Sequence, residues 1–126
     1  MRTEKEMIEL ITRTALEDPR IRAAYLEGSR ANPKVPRDIF QDYDVEYIVE
    51  DTRPFREDKQ WIDRFGERLY MQYPEEGVLY QDADVENWYG WLIQFTDGNR
   101  LDLHVGTAER AGKNLELYRV LVDKDG

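Results

Sequence analysis

The chain has 126 residues, the size of one compact domain, and no cysteine, which excludes disulfides and thiolate metal sites. Apolar residues make up 40% and aromatics 12%, enough for a core and too many for a disordered chain. With 27 acidic against 18 basic residues the net charge is −9, which argues against a nucleic-acid partner, because that affinity comes largely from neutralising phosphates.

An acidic surface attracts cations, either metal ions or polyamine-like substrates, although it also simply aids solubility. No apolar run is long enough to span a bilayer, so no membrane partner is expected. The charged opening Met1-Arg2-Thr3-Glu4-Lys5-Glu6 lacks the apolar stretch of a secretory signal, which points to the cytoplasm.

Thr3 and Glu6 form a Thr-x-x-Glu capping pattern, and Met7, Ile8, Ile11, Ala15 and Leu16 follow at helical spacing. Asp18-Pro19 ends this helix. Ile21 to Leu26 reads as a short buried strand, followed at once by Gly28-Ser29-Arg30. Asn32-Pro33 and Val35-Pro36 mark a loop. From Tyr43 the chain alternates, with Tyr43, Val45, Tyr47 and Val49 on one strand face and Asp42, Asp44 and Glu46 on the other. Pro54 suits a helix start, and Trp61, Ile62, Phe65 and Leu69 predict its apolar stripe. Tyr73 to Gly77 is a turn.

A hairpin is predicted from about Trp88 to Val105, turning at Thr96-Asp97-Gly98-Asn99-Arg100. Bringing Trp91, Ile93 and Phe95 to the same face as Leu101, Leu103 and Val105 suggests Phe95 opposite Leu101 and Gln94 opposite Asp102. That register calls for a three-residue loop with Asn99 left-handed, or an equivalent bulge. Thr107 to Leu115 suggests a short helix and Tyr118 to Val122 a last strand.

The carboxylates bear the chemistry. Asp42 and Asp44 point the same way from one strand, with Cα atoms roughly 7 Å apart. Asp102 lies between Leu101 and Leu103 on the polar face of another strand. Two like charges 4 Å apart repel by about 4 kcal/mol at an effective dielectric near 20. Divalent cations remove that cost, and hard oxygen ligands favour Mg²⁺. Two such ions roughly 4 Å apart can align a hydroxyl with a nucleotide α-phosphate and stabilise the leaving pyrophosphate. Asp-x-Asp alone more often marks a solvated strand face. Here a Gly-Ser turn follows a buried strand, and twelve residues, Arg30 to Gln41, separate it from Asp42. Backbone amides of such a turn and the Ser29 hydroxyl can hold phosphate oxygens, and Arg30 adds a fixed fork.

This ordered set resembles the signature of the DNA polymerase β-like nucleotidyltransferase superfamily. It is most similar to the aminoglycoside 6-adenylyltransferases, also called streptomycin adenylyltransferases. The segments that carry the likeness are Met1-Arg2-Thr3-Glu4, Gly28-Ser29-Arg30-Ala31-Asn32-Pro33, Asp38-Ile39-Phe40-Gln41-Asp42-Tyr43-Asp44 and Trp61-Ile62-Asp63-Arg64-Phe65-Gly66-Glu67. Leu101-Asp102-Leu103, Met71-Gln72-Tyr73-Pro74-Glu75-Glu76 and Leu121-Val122-Asp123-Lys124-Asp125-Gly126 add to it, so it spans essentially the whole chain.

The resemblance implies an α+β nucleotidyltransferase fold, a mixed twisted sheet flanked by helices, with residues 1–126 as the catalytic domain and the family's C-terminal helical domain absent. It implies ATP as donor, Mg²⁺, and adenylation of a hydroxyl on a cationic aminoglycoside such as streptomycin. Asp42 and Asp44 would bind the metals, Asp102 would be a further ligand or the general base, and Gly28, Ser29 and Arg30 would hold the triphosphate. Two alternatives keep the fold: transfer to a protein hydroxyl, or a non-catalytic nucleotide-binding module.

Other candidates are weaker. His104 follows Asp102 by two, but a histidine packed in the hairpin is the commoner case. Glu46 extends the acidic strand face and could meet a cationic substrate or only solvent. Trp88, Tyr89 and Trp91 could stack on adenine or sugar, although aromatics at alternating strand positions usually form core. Asp38 could brace the loop or touch a metal, Lys34 and Arg37 could reach phosphates, and Asp82, Asp84 and Glu86 could attract an aminoglycoside; a solvated loop position is the commoner case.

Overall fold

The computed structural model describes residues 2–27, 42–73, 86–108 and 119–125. Helix α1 (Glu4–Glu17) opens with the expected capping box: Thr3 Oγ1 accepts from the Glu6 N–H at 3.1 Å, and the Glu6 carboxylate accepts from the Thr3 N–H at 3.1 Å. It buries Met7, Ile11 and Ala15, while Leu16, expected on the same stripe, faces outward and is 60% exposed. Strands β1 (Ile21–Glu27) and β2 (Asp42–Val49) follow and pair antiparallel.

The single helix expected after Pro54 is instead two short pieces and a strand. Helix α2 (Arg53–Glu57) stops because the Asp58 carboxylate accepts from the Gln60 N–H at 3.1 Å, a local bond that competes with helix continuation. A 3-10 helix (Trp61–Phe65) then buries Trp61, Ile62 and Phe65. Gly66, at φ 132, turns the chain into strand β3 (Arg68–Gln72), so Leu69 lies 67% exposed on an edge strand rather than on a buried stripe.

Strands β4 (Trp88–Phe95) and β5 (Arg100–Gly106) form the predicted hairpin, in a different register. Ile93 faces Leu101, Gln94 faces Arg100 and Leu92 faces Asp102. The loop holds three residues, 96–98, closed by Phe95 N–H donating to Asn99 O at 2.9 Å, and the left-handed residue is Gly98 (φ 92), not Asn99. A two-residue slip leaves every side chain on its original face, so the face argument alone does not distinguish the two registers. Strand β6 (Arg119–Asp123) matches the expected last strand. The short helix expected from Thr107 falls largely outside the described residues.

The six strands form one mixed sheet in the order β3-β4-β5-β2-β1-β6, with β2 and β5 parallel and the other neighbours antiparallel. One face carries the core. Tyr43, Val45, Tyr47, Trp91, Ile93, Leu101, Leu103 and Val105 are buried there, with α1 packed against it and Tyr47 Oη donating to Ile11 O at 2.6 Å. Trp61 caps this layer edge-on to Phe55 and Phe65 and 5.3 Å from Trp91. Among the described residues no helix is long and apolar enough to cross a membrane. With one face given to the core, the chemistry is left to the other.

Candidate active site

The central parallel pair brings the carboxylates together. Asp44 on β2 is the register partner of Asp102 on β5, and Asp42, which opens β2, is partnered with Arg100. Neighbouring strands lie about 4.8 Å apart, so two like charges stand side by side on the face opposite the core. The same row runs outward through Leu92 and Gln72 on one side and reaches Glu27, the last residue of β1, on the other. The strand leading to Gly28, Ser29 and Arg30 therefore ends beside Asp44; those three residues lie outside the described set, as does the side chain of Asp42.

A cleft of about 220 Å³ opens over this row, lined by Asp44, Asp102, Arg100, Leu92, Gln72 and Tyr70. The Asp102 side chain is 38% exposed, and its Oδ1 is buried without a well-directed hydrogen bond among the described residues. His104 Nδ1 stands 3.2 Å from that oxygen without hydrogen-bond geometry. A buried carboxylate oxygen left short of donors beside a second carboxylate is a site with unmet demand for positive charge. The donors are hard oxygens, which suit Mg²⁺ or a similar ion. Among the described residues no three such side chains cluster closely enough to hold a metal; Asp44 and Asp102 supply two.

The rest of the row above adds negative field. Glu46 is 3% exposed, so the solvated-face reading of it is excluded. It is the register partner of His104 on one side and Tyr25 on the other. Burial raises the Tyr25 phenol pKa, and the charges of Asp123 and Glu46 raise it further. Tyr89 and Trp91 are core residues, as aromatics in strands usually are, whereas Trp88 lies on the open face with its ring stacked on His104 at 4.5 Å. Glu86 is exposed, and Lys34, Arg37, Asp38, Asp82 and Asp84 lie outside the described residues.

Tyr70 and Gln72 were missed as site residues because β3 reads as the end of a helix. Gly66, directly after Phe65, is the signal that breaks the helical stripe and frees the following residues to alternate.

A mixed sheet that sets two acidic residues side by side on a central parallel pair, next to the end of the strand leading to Gly-Ser, is the frame of a nucleotidyltransferase fold. The fold matches a crystal structure of an aminoglycoside 6-adenyltransferase from Bacillus subtilis, with a TM-score of 0.74 and 36% identity over 94% of this chain and 40% of that one. The model of the streptomycin adenylyltransferase family matches residues 1–126, and the chain belongs to that family. It is 44% identical over 129 residues to the aminoglycoside 6-adenylyltransferase of Bacillus subtilis (strain 168), covering 99% of this chain and 45% of the relative. It is 40% identical to the Campylobacter jejuni enzyme of the same name, covering 99% and 44%. The chain thus spans less than half the length of the curated relatives it matches.

Proposed function

We propose that residues 1–126 form the catalytic domain of an Mg²⁺-dependent adenylyltransferase that moves AMP from ATP to a hydroxyl of a cationic aminoglycoside such as streptomycin. The observation that carries this reading is the side-by-side placement of Asp44 and Asp102 on adjacent parallel strands. Family membership and the names of the relatives support the donor and the acceptor class.

Asp42, Asp44 and Asp102 would hold the divalent ions, which when bound supply positive charge to the triphosphate and to the attacking oxygen. Gly28, Ser29 and Arg30 would hold the triphosphate with backbone amides, a hydroxyl and a guanidinium. Asp102, which lines the cleft, would in addition accept the proton of the acceptor hydroxyl as its oxygen attacks the α-phosphorus. The bond to the β,γ-pyrophosphate breaks as the new ester bond forms, giving adenylated acceptor and pyrophosphate. The negative surface would gather a polycationic acceptor near the cleft.

The test is incubation of the protein with ATP labelled at the α-phosphate, Mg²⁺ and a panel of aminoglycosides. The expected result is labelled streptomycin and released pyrophosphate. Label in protein alone would move the acceptor to a protein hydroxyl, and no transfer of any kind would overturn the enzymatic reading.

A further inference from the structure

We propose that His104 is a positioning residue for Asp102, held in place by Trp88 in a shelf cleared by Gly90 and Gly106. The inference rests on the adenylyltransferase reading and extends it to residues to which that reading gives no role.

Four residues on the open face build the shelf. His104 is the cross-strand partner of Gly90, and Trp88 is the partner of Gly106. A Cβ on Gly90 would fall 2.7 Å from His104 Nε2, and one on Gly106 would fall 2.7 Å from Trp88 Cε3. A side chain at Gly106 would thus drive the Trp88 ring off the sheet, and one at Gly90 would press both on the His104 ring and, at 2.5 Å, on the Leu103 carbonyl oxygen of the strand itself. With both positions empty, the two rings lie nearly parallel, 16° apart, with centroids 4.5 Å apart. The imidazole lies beside Asp102, two residues earlier on the strand, with its Nδ1 3.2 Å from Asp102 Oδ1. That oxygen is the buried one without a well-directed hydrogen bond, so His104 is the group placed to set its rotamer. With Oδ1 toward the imidazole, the Asp102 carboxylate keeps its place on the cleft wall.

Packing alone does not call for a histidine. A phenyl ring would stack on Trp88 equally well and bring no nitrogen to Asp102. Groups that orient an acidic ligand in this way commonly change metal affinity or turnover by roughly ten- to a hundredfold when removed.

Two variants separate positioning from packing. His104→Phe keeps the ring and loses the nitrogen; His104→Asn loses the ring and keeps a donor near the place of Nδ1. Each is compared with wild type by thermal melting, by kcat and KM for ATP, and by paramagnetic resonance of Mn²⁺ binding with a non-hydrolysable ATP analogue. The expected pattern crosses over. His104→Phe melts closer to wild type, yet loses about tenfold or more in kcat and in Mn²⁺ affinity with little change in KM. His104→Asn melts lower and retains more of both. Wild-type kcat and Mn²⁺ affinity in His104→Phe would overturn the proposal, as would His104→Asn falling below His104→Phe in both. If wild-type protein transfers no AMP, the functional reading fails separately, and the Mn²⁺ comparison still decides: equal affinity in wild type and His104→Phe, or no Mn²⁺ binding by wild type, overturns the role of His104.

Discussion

Asp44 and Asp102 face each other across a parallel strand pair, where two negative charges would ordinarily weaken the sheet. Replacing either by the isosteric amide removes the repulsion together with the proposed metal ligand. Asp44→Asn is therefore expected to leave the melting temperature unchanged or slightly raised, while kcat falls by about 100-fold or more, the effect of losing about 3 kcal/mol of transition-state stabilisation. Steady-state kinetics with a parallel melting curve check both halves. These acidic residues were legible in the sequence because a period of two separates polar from apolar positions without any knowledge of the partner strand. The surroundings of Glu46 were not, and for His104 only its packing in the hairpin was. Whether a residue on a polar strand face meets solvent depends on what lies across the neighbouring strands, and Gly90, the gap that seats His104, lies on a different strand, 14 residues before it in the chain.

Among the elements, the junction of the N-terminus, the 3-10 turn and the β4–β5 hairpin is held by Arg2. Its guanidinium donates to Asp97 Oδ2 at 2.6 Å and to the Phe65 carbonyl, and lies 4.8 Å over the Phe95 ring. Burial raises the pKa of the Asp97 carboxyl, but hydrogen bonds from Arg2 and Asn99 together outweigh it and hold the group well below the ordinary carboxylate range. A carboxyl depressed in the folded state adds stability above its unfolded pKa, near 4, and loses it as pH falls toward the folded value. Asp97→Asn should thus cost about 1–2 kcal/mol at pH 7, and the gap to wild type should close progressively below about pH 4 in denaturant titrations. Gly66 borders the same junction at φ 132, where a Cβ would stand 2.7 Å from Arg2 Nη2. Gly66→Ala should cost about 1–3 kcal/mol, read as a lower urea midpoint with unchanged slope. The helix α1 and strands β1, β2 and β6 were legible from caps and alternation. Strand β3 and the hairpin register were not, because one depends on a glycine conformation and the other on a slip that preserves both faces.

At the scale of the whole molecule, the sheet order sets the site. Placing β5 beside β2 joins residues far apart in sequence, and the antiparallel partner β1 ends at Glu27 beside the same row. The sequence pattern carried the polar faces but not this order, which depends on how the strands pair. The central claim is that Asp44 and Asp102 share divalent ions that grip the α-phosphate of ATP. The most direct measurement is a crystal structure of the protein with Mg²⁺ and a non-hydrolysable ATP analogue. The account predicts metal density in contact with carboxylate oxygens of both Asp44 and Asp102 and with the triphosphate. Nucleotide bound elsewhere, or metal touching neither carboxylate, would contradict it.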